Sequence, residues 1–307
     1  PQNHFYALEV LRNTGTEQQK QKLYAEVLKG ARFGNALAEF KTKNATQKQT
    51  AITPTEHGFV VNGEKFYCTG SLFANRIPTL VKDHENREFL AFIARESEGL
   101  ELIDDWSGFG QRTTGSGTVK FNNVPVAAED IIPFDSAFSQ ATLVGPFAQI
   151  MHAAIETGIA RAAFEETLHR VRQARPWIDS GVDQATADPL ILFELGRIVA
   201  DVRASEVLLK QAARTIDAAK PQPTAHNIAK ASLDVAKVRA HSTETALKAS
   251  SKLIELAGSR GSQREDGLDR FWRNARVHTL HDASRWKYYF IANHLLNGVL
   301  PPRRGTL

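Results

Sequence analysis

Cysteine is nearly absent from this 307-residue chain: Cys68 is its single example, which excludes an internal disulfide framework and any zinc centre built on cysteines. The scarcity fits a reducing compartment, and a cytoplasmic protein is the expectation. No apolar run reaches the length of about 18 residues that a membrane-spanning helix needs, and no charged-then-apolar signal segment is present. The chain opens on Pro1 rather than Met, which reads as a protein shortened at its start. Charge of one sign is scarce too. The 38 basic residues are interleaved with 34 acidic ones for a net +4, so neither a nucleic-acid stripe nor a membrane-binding patch is indicated. The one basic pair, Arg303 and Arg304 in PPRRGTL, reads as a solvated tail. What remains is 42% hydrophobic and 23% charged, an ordinary globular composition with length enough for two domains.

The pattern TEQQKQKLYAEVLKG from Thr16 has a threonine cap, an early acid and a glycine stop, which predicts one short peripheral helix. From Ala31 to Val126 the character is β: short apolar runs are punctuated by turn residues, and Asn62-Gly63 in GFVVNGEKFYCTG carries a hairpin signal. Further strands are expected at Thr79 to Lys82, Phe89 to Ala94 and Thr118 to Phe121. After Pro133 helical periodicity takes over. Leu195, Ile198, Val199, Val202, Leu209, Ala212 and Ile216 form one apolar stripe, and Ile228, Val235, Ala246, Ala249, Leu253 and Leu256 another. Breaks at ARPWIDSG, AAKPQPT and LAGSRG separate them, as an antiparallel helix bundle requires. The order is therefore an α+β one: a helical remnant over 1–30, a β domain over 31–133 and a helix bundle over 134–307.

Three constellations could carry chemistry. In RFWRNARVHTLHDASRWK, the spacing of His278, His281 and Asp282 can bring all three towards one side of a helix. A metal would need a further ligand that no motif elsewhere supplies, so hydrogen bonding inside a bundle is the competing explanation. In WSGFGQRTTGSGTVKF the glycines lead into a strand rather than a helix N-terminus, so a phosphate loop is unsupported and a tight turn is the plain reading. In ARPW, Arg175 could bind a phosphate or cap helix carbonyls.

GNALAEF, KFYCTGS, DDWSGFGQRTTGSGT, ARPWIDSGVDQATADP and DRFWRNARVHTLHD together resemble the acyl-CoA dehydrogenase superfamily, and within it the flavin-dependent monooxygenase branch, over nearly the whole chain. The resemblance implies an N-terminal helical domain, here largely missing, then a central β domain and a C-terminal four-helix bundle. Dehydrogenase members carry a carboxylate base in an IYEGT string. The matching string here is TLHDA, where Asp282 is one methylene short and His281 stands for the tyrosine. A loss of reach on the order of 1 Å cripples proton transfer. No acid occurs between Asp135 and Glu156, so the alternative position for that base is empty as well.

For the monooxygenases the resemblance implies reduced FMN delivered by a separate reductase and a C4a-hydroperoxyflavin that oxidises a heteroatom, sulfur before nitrogen, of a small substrate. Asn35, Thr69 and His281 match the residues grouped about the flavin ring and its oxygen adduct, and His4 matches a further pocket histidine. Trp106 matches an aromatic of the ring pocket, with ordinary core packing as the alternative. Arg175 matches the arginine that reaches the flavin phosphate of a neighbouring subunit, and Arg273 either binds phosphate or braces the bundle. A homotetramer is the implied assembly. Two other readings stay open: an FAD-dependent acyl-CoA dehydrogenase with Asp282 as a weak base, and a flavin-binding scaffold without turnover.

Overall fold

The computed structural model describes residues 1–40 and 49–307 and divides them into two units, one formed by Pro1–Ser107 with Arg112–Val144, the other by Gly108–Gln111 with Gly145–Leu307.

The first unit opens with two helices, α1 (Gln2–Thr14) and α2 (Glu17–Leu28). The start of α2 is fixed by a capping box: the Thr16 hydroxyl accepts from the Gln19 N–H while the Gln19 side chain accepts from the Thr16 N–H. Their apolar faces bury Val10, Leu11 and Leu23 against Leu80, Leu90, Phe92 and Ile132. These helices thus share a core with the sheet, whose strands are β1 (Ala51–Thr55), β2 (Gly58–Lys65), β3 (Arg76–Lys82), β4 (Glu88–Ala94), β5 (Leu100–Ile103), β6 (Thr118–Val126) and β7 (Ile131–Pro133). The order across the sheet is β5-β6-β2-β1-β3-β4-β7, antiparallel except where β1 meets β3. The opposite face packs Ile52, Val61, Ile77, Val81, Ile93, Val119 and Phe121 into a second core. A short helix, α3 (Ser136–Ser139), follows β7.

The hairpin expected at Asn62-Gly63 lies elsewhere. Thr55 pairs with Gly58, so the β1–β2 turn is Glu56-His57, and Asn62-Gly63 sits inside β2 at a shift of register against β6. Gly63 has φ +146°, and a Cβ there would lie 2.7 Å from the Cα of Thr50. The glycine admits a bulge and a close backbone approach rather than a turn, two demands that look alike in a sequence.

The second unit contains α4 (Val144–Val171), α5 (Pro189–Ala219), α6 (Ala225–Leu256), α7 (Asp269–His278) and α8 (Arg285–Asn297). Pro189 at the first turn of α5 and the Asp188 carboxylate accepting from the N–H groups of Leu190 and Ile191 define that helix start. The stripes read from periodicity are the ones that bury: Ile198, Val202, Ala246, Ala249 and Leu253 meet Ala160, Ala163 and Leu268 in one core. No helix among the described residues is long and apolar enough to cross a membrane.

The loop Gly108–Gln111 is zipped onto α7. Arg273 donates from Nη1 to the Phe109 carbonyl at 2.8 Å, and the Gln111 N–H donates to Asn274 Oδ1 at 2.8 Å. A Cβ on Gly110 would lie 2.0 Å from the Arg273 carbonyl oxygen, so backbone must move to admit one. Gly110→Ala is expected to cost about 3 kcal/mol in a urea titration.

The end of the chain is not the solvated tail its composition suggested. Arg303 and Arg304 are exposed, but Leu307 is buried, the Gly305 carbonyl accepts from Gln149 Nε2 at 2.7 Å, and the Thr306 carbonyl accepts from Lys287 Nζ at 2.9 Å. A buried lysine and a buried glutamine, each needing acceptors, hold this segment in place.

Candidate active site

In the first unit the chain leaves β2 through Phe66, takes a left-handed step at Tyr67 (φ 53°), and turns again at Gly70 (φ 78°) before a short turn of helix at Ser71–Phe73. This path points the Thr69 hydroxyl at Ser116, whose Oγ is 2.8 Å away, and Ser116 in turn lies 2.6 Å from the Thr114 hydroxyl. The Ser71 hydroxyl donates to the Asn35 carbonyl at 2.9 Å and accepts from the Asn35 N–H at 3.2 Å, which fixes the Asn35 backbone. Its side-chain amide makes no hydrogen bond among the described residues and lines a small cleft with Asn3 and Tyr6. Around Tyr67 runs an aromatic row: Phe40 lies 4.7 Å and Trp106 5.8 Å from its ring, both edge to face. Phe40 and Tyr67 are each about half exposed, an apolar surface left open.

His4, on α1, accepts from the Phe33 N–H at Nδ1, 3.1 Å, so its own proton sits on Nε2. Burial lowers its pKa and keeps it neutral near pH 7. Cys68 is buried, and that burial pushes the thiol up to about 12, which removes it as a nucleophile. Asn35, Thr69 and Trp106 thus gather around one segment, 67–71, with His4 reaching the backbone two residues before Asn35.

In the second unit α7 stops at His278, so His281 and Asp282 sit in the turn beyond it rather than on its face. The His281 ring is half exposed while Asp282 is nearly covered. Asp282 accepts at Oδ2 from His281 Nδ1, 3.3 Å, and at Oδ1 from Lys287 Nζ, 2.8 Å. Burial pushes the Asp282 carboxyl up, but the His281 hydrogen bond and the Lys287 and Arg239 charges outweigh it and hold it far below the usual carboxylate range. Burial lowers the Lys287 ammonium, with Asp282 opposing. The consequence is an orienting dyad: Asp282 holds the Nδ1–H of His281 and leaves Nε2 free to hold or return a proton.

Arg273 is engaged at Nε by Asp269 as well as at Nη1 by Phe109, a geometry that braces loop 108–111. Arg175 lies beyond the end of α4, exposed, with no hydrogen bond or ion pair among the described residues. Behind His281 are groups that motif reading passed over. His152 on α4 stacks on it at 4.1 Å, and Glu156, one turn further on, forms a fully buried ion pair with Arg239 of α6. Their signal was available, since His152 and Glu156 stand at i and i+4 in the largely apolar first half of α4, and Arg239 interrupts the alanine-rich face of α6. Among the described residues no cluster of side chains suited to holding a metal occurs.

A helix-and-sheet unit and a helical unit, the first with exposed aromatics and hydroxyls and the second with a carboxylate-held histidine, define a flavoprotein oxidoreductase of the acyl-CoA dehydrogenase fold. The family of acyl-CoA dehydrogenase C-terminal domains matches residues 150–286. Dibenzothiophene monooxygenase of Rhodococcus erythropolis is 32% identical over 94% of this chain and 73% of its own length. The probable FMNH2-dependent monooxygenase SfnC of Pseudomonas putida is 27% identical over 88% of the chain and 69% of its own. The crystal structure of FMN-bound TdsC from Paenibacillus sp. A11-2 superposes with a TM-score of 0.94 at 28% identity, covering 100% of this chain and 81% of that one. The chain belongs to the flavin-dependent monooxygenase branch of the acyl-CoA dehydrogenase superfamily, together with the dibenzothiophene monooxygenases.

Proposed function

We propose that the protein is a two-component monooxygenase that takes reduced FMN from a separate reductase and places one oxygen atom of O2 on the sulfur of a small organosulfur compound. The carrying observation is the state of Asp282. Both its oxygens are occupied and its carboxyl is held far below the usual range, so it is a poor base for an acidic α-proton. His281 beside it keeps a free nitrogen instead.

The residues present suit FMN. An isoalloxazine ring needs an open apolar surface and polar groups for its heteroatom edge, which the Phe40–Tyr67–Trp106 row, the unpaired Asn35 amide and the Thr69–Ser116 hydroxyl pair supply. Arg175, uncommitted, suits a phosphate, in the manner expected of a neighbouring subunit's cofactor in a homotetramer. Trp106 also belongs to this surface, and His4, whose Nδ1 accepts from the Phe33 N–H, keeps its Nε2–H to donate. Arg273 is assigned the bracing role. When bound, reduced FMN would supply the two electrons that make one oxygen atom of O2 transferable. The balance is sulfide, O2 and FMNH2 to sulfoxide, water and FMN. His281 holds or returns the proton that leaves with that water, at Nε2. Sulfur is preferred to nitrogen because the dibenzothiophene monooxygenases are sulfur oxidisers by name.

Rapid mixing of the protein and anaerobically reduced FMN with oxygenated buffer tests this. A transient absorbing unlike oxidised FMN is expected, followed by sulfoxide when dibenzothiophene is present. Immediate reoxidation without a transient would favour the dehydrogenase, which bleaching of bound FAD by an acyl-CoA would then reveal.

A further inference from the structure

The groups behind His281 form a chain whose proton positions can be read from its buried end. Glu156 is fully buried, paired with Arg239, and accepts at Oε2 from the hydroxyls of Thr243, 2.8 Å, and Ser242, 3.1 Å. Burial pushes its carboxyl up, but the His278 hydrogen bond and the Arg239 charge outweigh this and keep it ionised, an acceptor only. The contact between Glu156 Oε1 and His278 Nδ1, 3.1 Å, therefore requires the proton on Nδ1 of His278. In neutral His278 the other nitrogen, Nε2, is then a lone pair. It faces His152 Nδ1 at 3.1 Å, so a neutral His278 makes His152 the donor at Nδ1, whereas a cationic His278 would itself donate to that nitrogen. Burial, and then the fields of His281, His278 and Arg239, lower the His152 pKa well below its ordinary value, so the ring stays neutral.

That neutral ring lies against His281, centroids 4.1 Å apart and planes inclined by 33°. Two imidazolium rings at this distance would repel each other, and Arg239, 3.9 Å from Asp282, adds to the positive field. A site histidine that must pick up a proton therefore needs its stacking partner kept neutral. We propose that Glu156, His278 and His152 form a hydrogen-bonded relay that holds His152 as a neutral Nδ1–H imidazole against His281, making His152 a positioning residue for the proton that His281 carries. The proposal deepens, and rests on, the reading of His281 as the proton-bearing group of the monooxygenase. The charged and titratable groups facing the two rings are Asp282 beside His281, Lys287 of α8, His278 of α7, Arg239 of α6 and Glu156 of α4.

The test reads ring protons directly. In the full-length chain with oxidised FMN bound and its histidines labelled with 15N, long-range 1H–15N correlation spectra report the tautomer and titration of each imidazole. The wild-type protein should show His152 as the neutral Nδ1–H form through neutral pH, with no titration at the ordinary histidine value. A neutral His152 carrying its proton on Nε2 would overturn the proposal, and that result needs no variant to fold. Glu156→Gln removes the ionised acceptor while keeping the side chain's size. His152 should then populate both tautomers, and the proton affinity of His281 should fall about ten-fold as Arg239 loses its counter-charge, one pKa unit. His152→Phe, which keeps a stacking ring but cuts the relay, should raise His281 proton affinity no more than a few-fold and shorten the oxygen-reacted flavin transient. Unchanged His281 titration in both variants would also overturn the proposal. If instead FMN reoxidises at once in the wild-type protein while the rings show the expected tautomers, it is the monooxygenase reading that fails and not the relay.

Discussion

Arg239→Met is expected to lower the stability of the protein by about 3–5 kcal/mol, the cost of breaking a buried ion pair from one side. Arg239 is 0% exposed, and its partner Glu156 is equally covered. Its Nε and Nη2 have no hydrogen-bond partner among the described residues, so the guanidinium is itself an expensive group to bury. The cost of removal arises from what stays behind: Glu156 and Asp282, two buried carboxylates left with His278 and Lys287 as their remaining counter-groups. Urea titration at neutral pH measures the loss, and the companion variant Arg239→Met with Glu156→Gln should recover much of it, because the uncompensated charge goes with the glutamate. A loss under about 1 kcal/mol would mean that the pair is solvated rather than buried.

The same pair fixes the pH dependence. Glu156 and Asp282 have folded-state pKa values below those of the unfolded chain, about 4.3 and 3.9 for free carboxyls. Groups depressed in this way contribute stability that is fully present above the unfolded values and is lost as pH falls through the folded ones, since the unfolded chain binds the proton first. Wild-type stability should therefore be level through neutrality and fall below about pH 4. In Arg239→Met the Glu156 carboxyl loses its nearest cation, its pKa rises, and its share of the decline begins at higher pH.

How much of this could be read in advance depends on what each residue is asked to do. The stripes of α5 and α6 were legible because burial of one helix face repeats every turn, and Ile198, Val202, Ala246 and Leu253 are buried where the repeat puts them. Asn62-Gly63 misled, because the glycine answers a close approach of Thr50 that comes from another part of the chain. His281 and Asp282 were found through their string, but the groups that govern them were not. His152, Glu156 and Arg239 lie on different turns or helices of the second unit, 83 residues separating Glu156 from Arg239, and a sequence shows a lone charge on an apolar face without showing what neutralises it. The tail was misjudged for the same reason: Gly305 and Thr306 are held by Gln149 and Lys287, acceptors sought by distant donors.

His281→Ala is expected to reduce sulfoxide formation by about a hundred-fold, the ordinary weight of one positioned acid-base group, while FMNH2 continues to be consumed and the oxygen appears as hydrogen peroxide. The expectation follows from what the ring does and does not support. It is half exposed, so its removal leaves no large cavity and should hardly alter stability. Asp282 retains Lys287 at 2.8 Å, and the ion pair of Glu156 with Arg239 does not touch the lost ring. The variant therefore separates chemistry from folding in a way Arg239→Met cannot. Product measured by chromatography against peroxide measured by a coupled peroxidase gives the partition directly. A drop in sulfoxide matched by a rise in peroxide, with FMNH2 still bound in an anaerobic titration of the variant, identifies the proton at Nε2 as what directs oxygen to sulfur. Loss of FMNH2 binding in that titration would mean that His281 serves flavin binding instead, because unbound FMNH2 also reduces O2 to hydrogen peroxide.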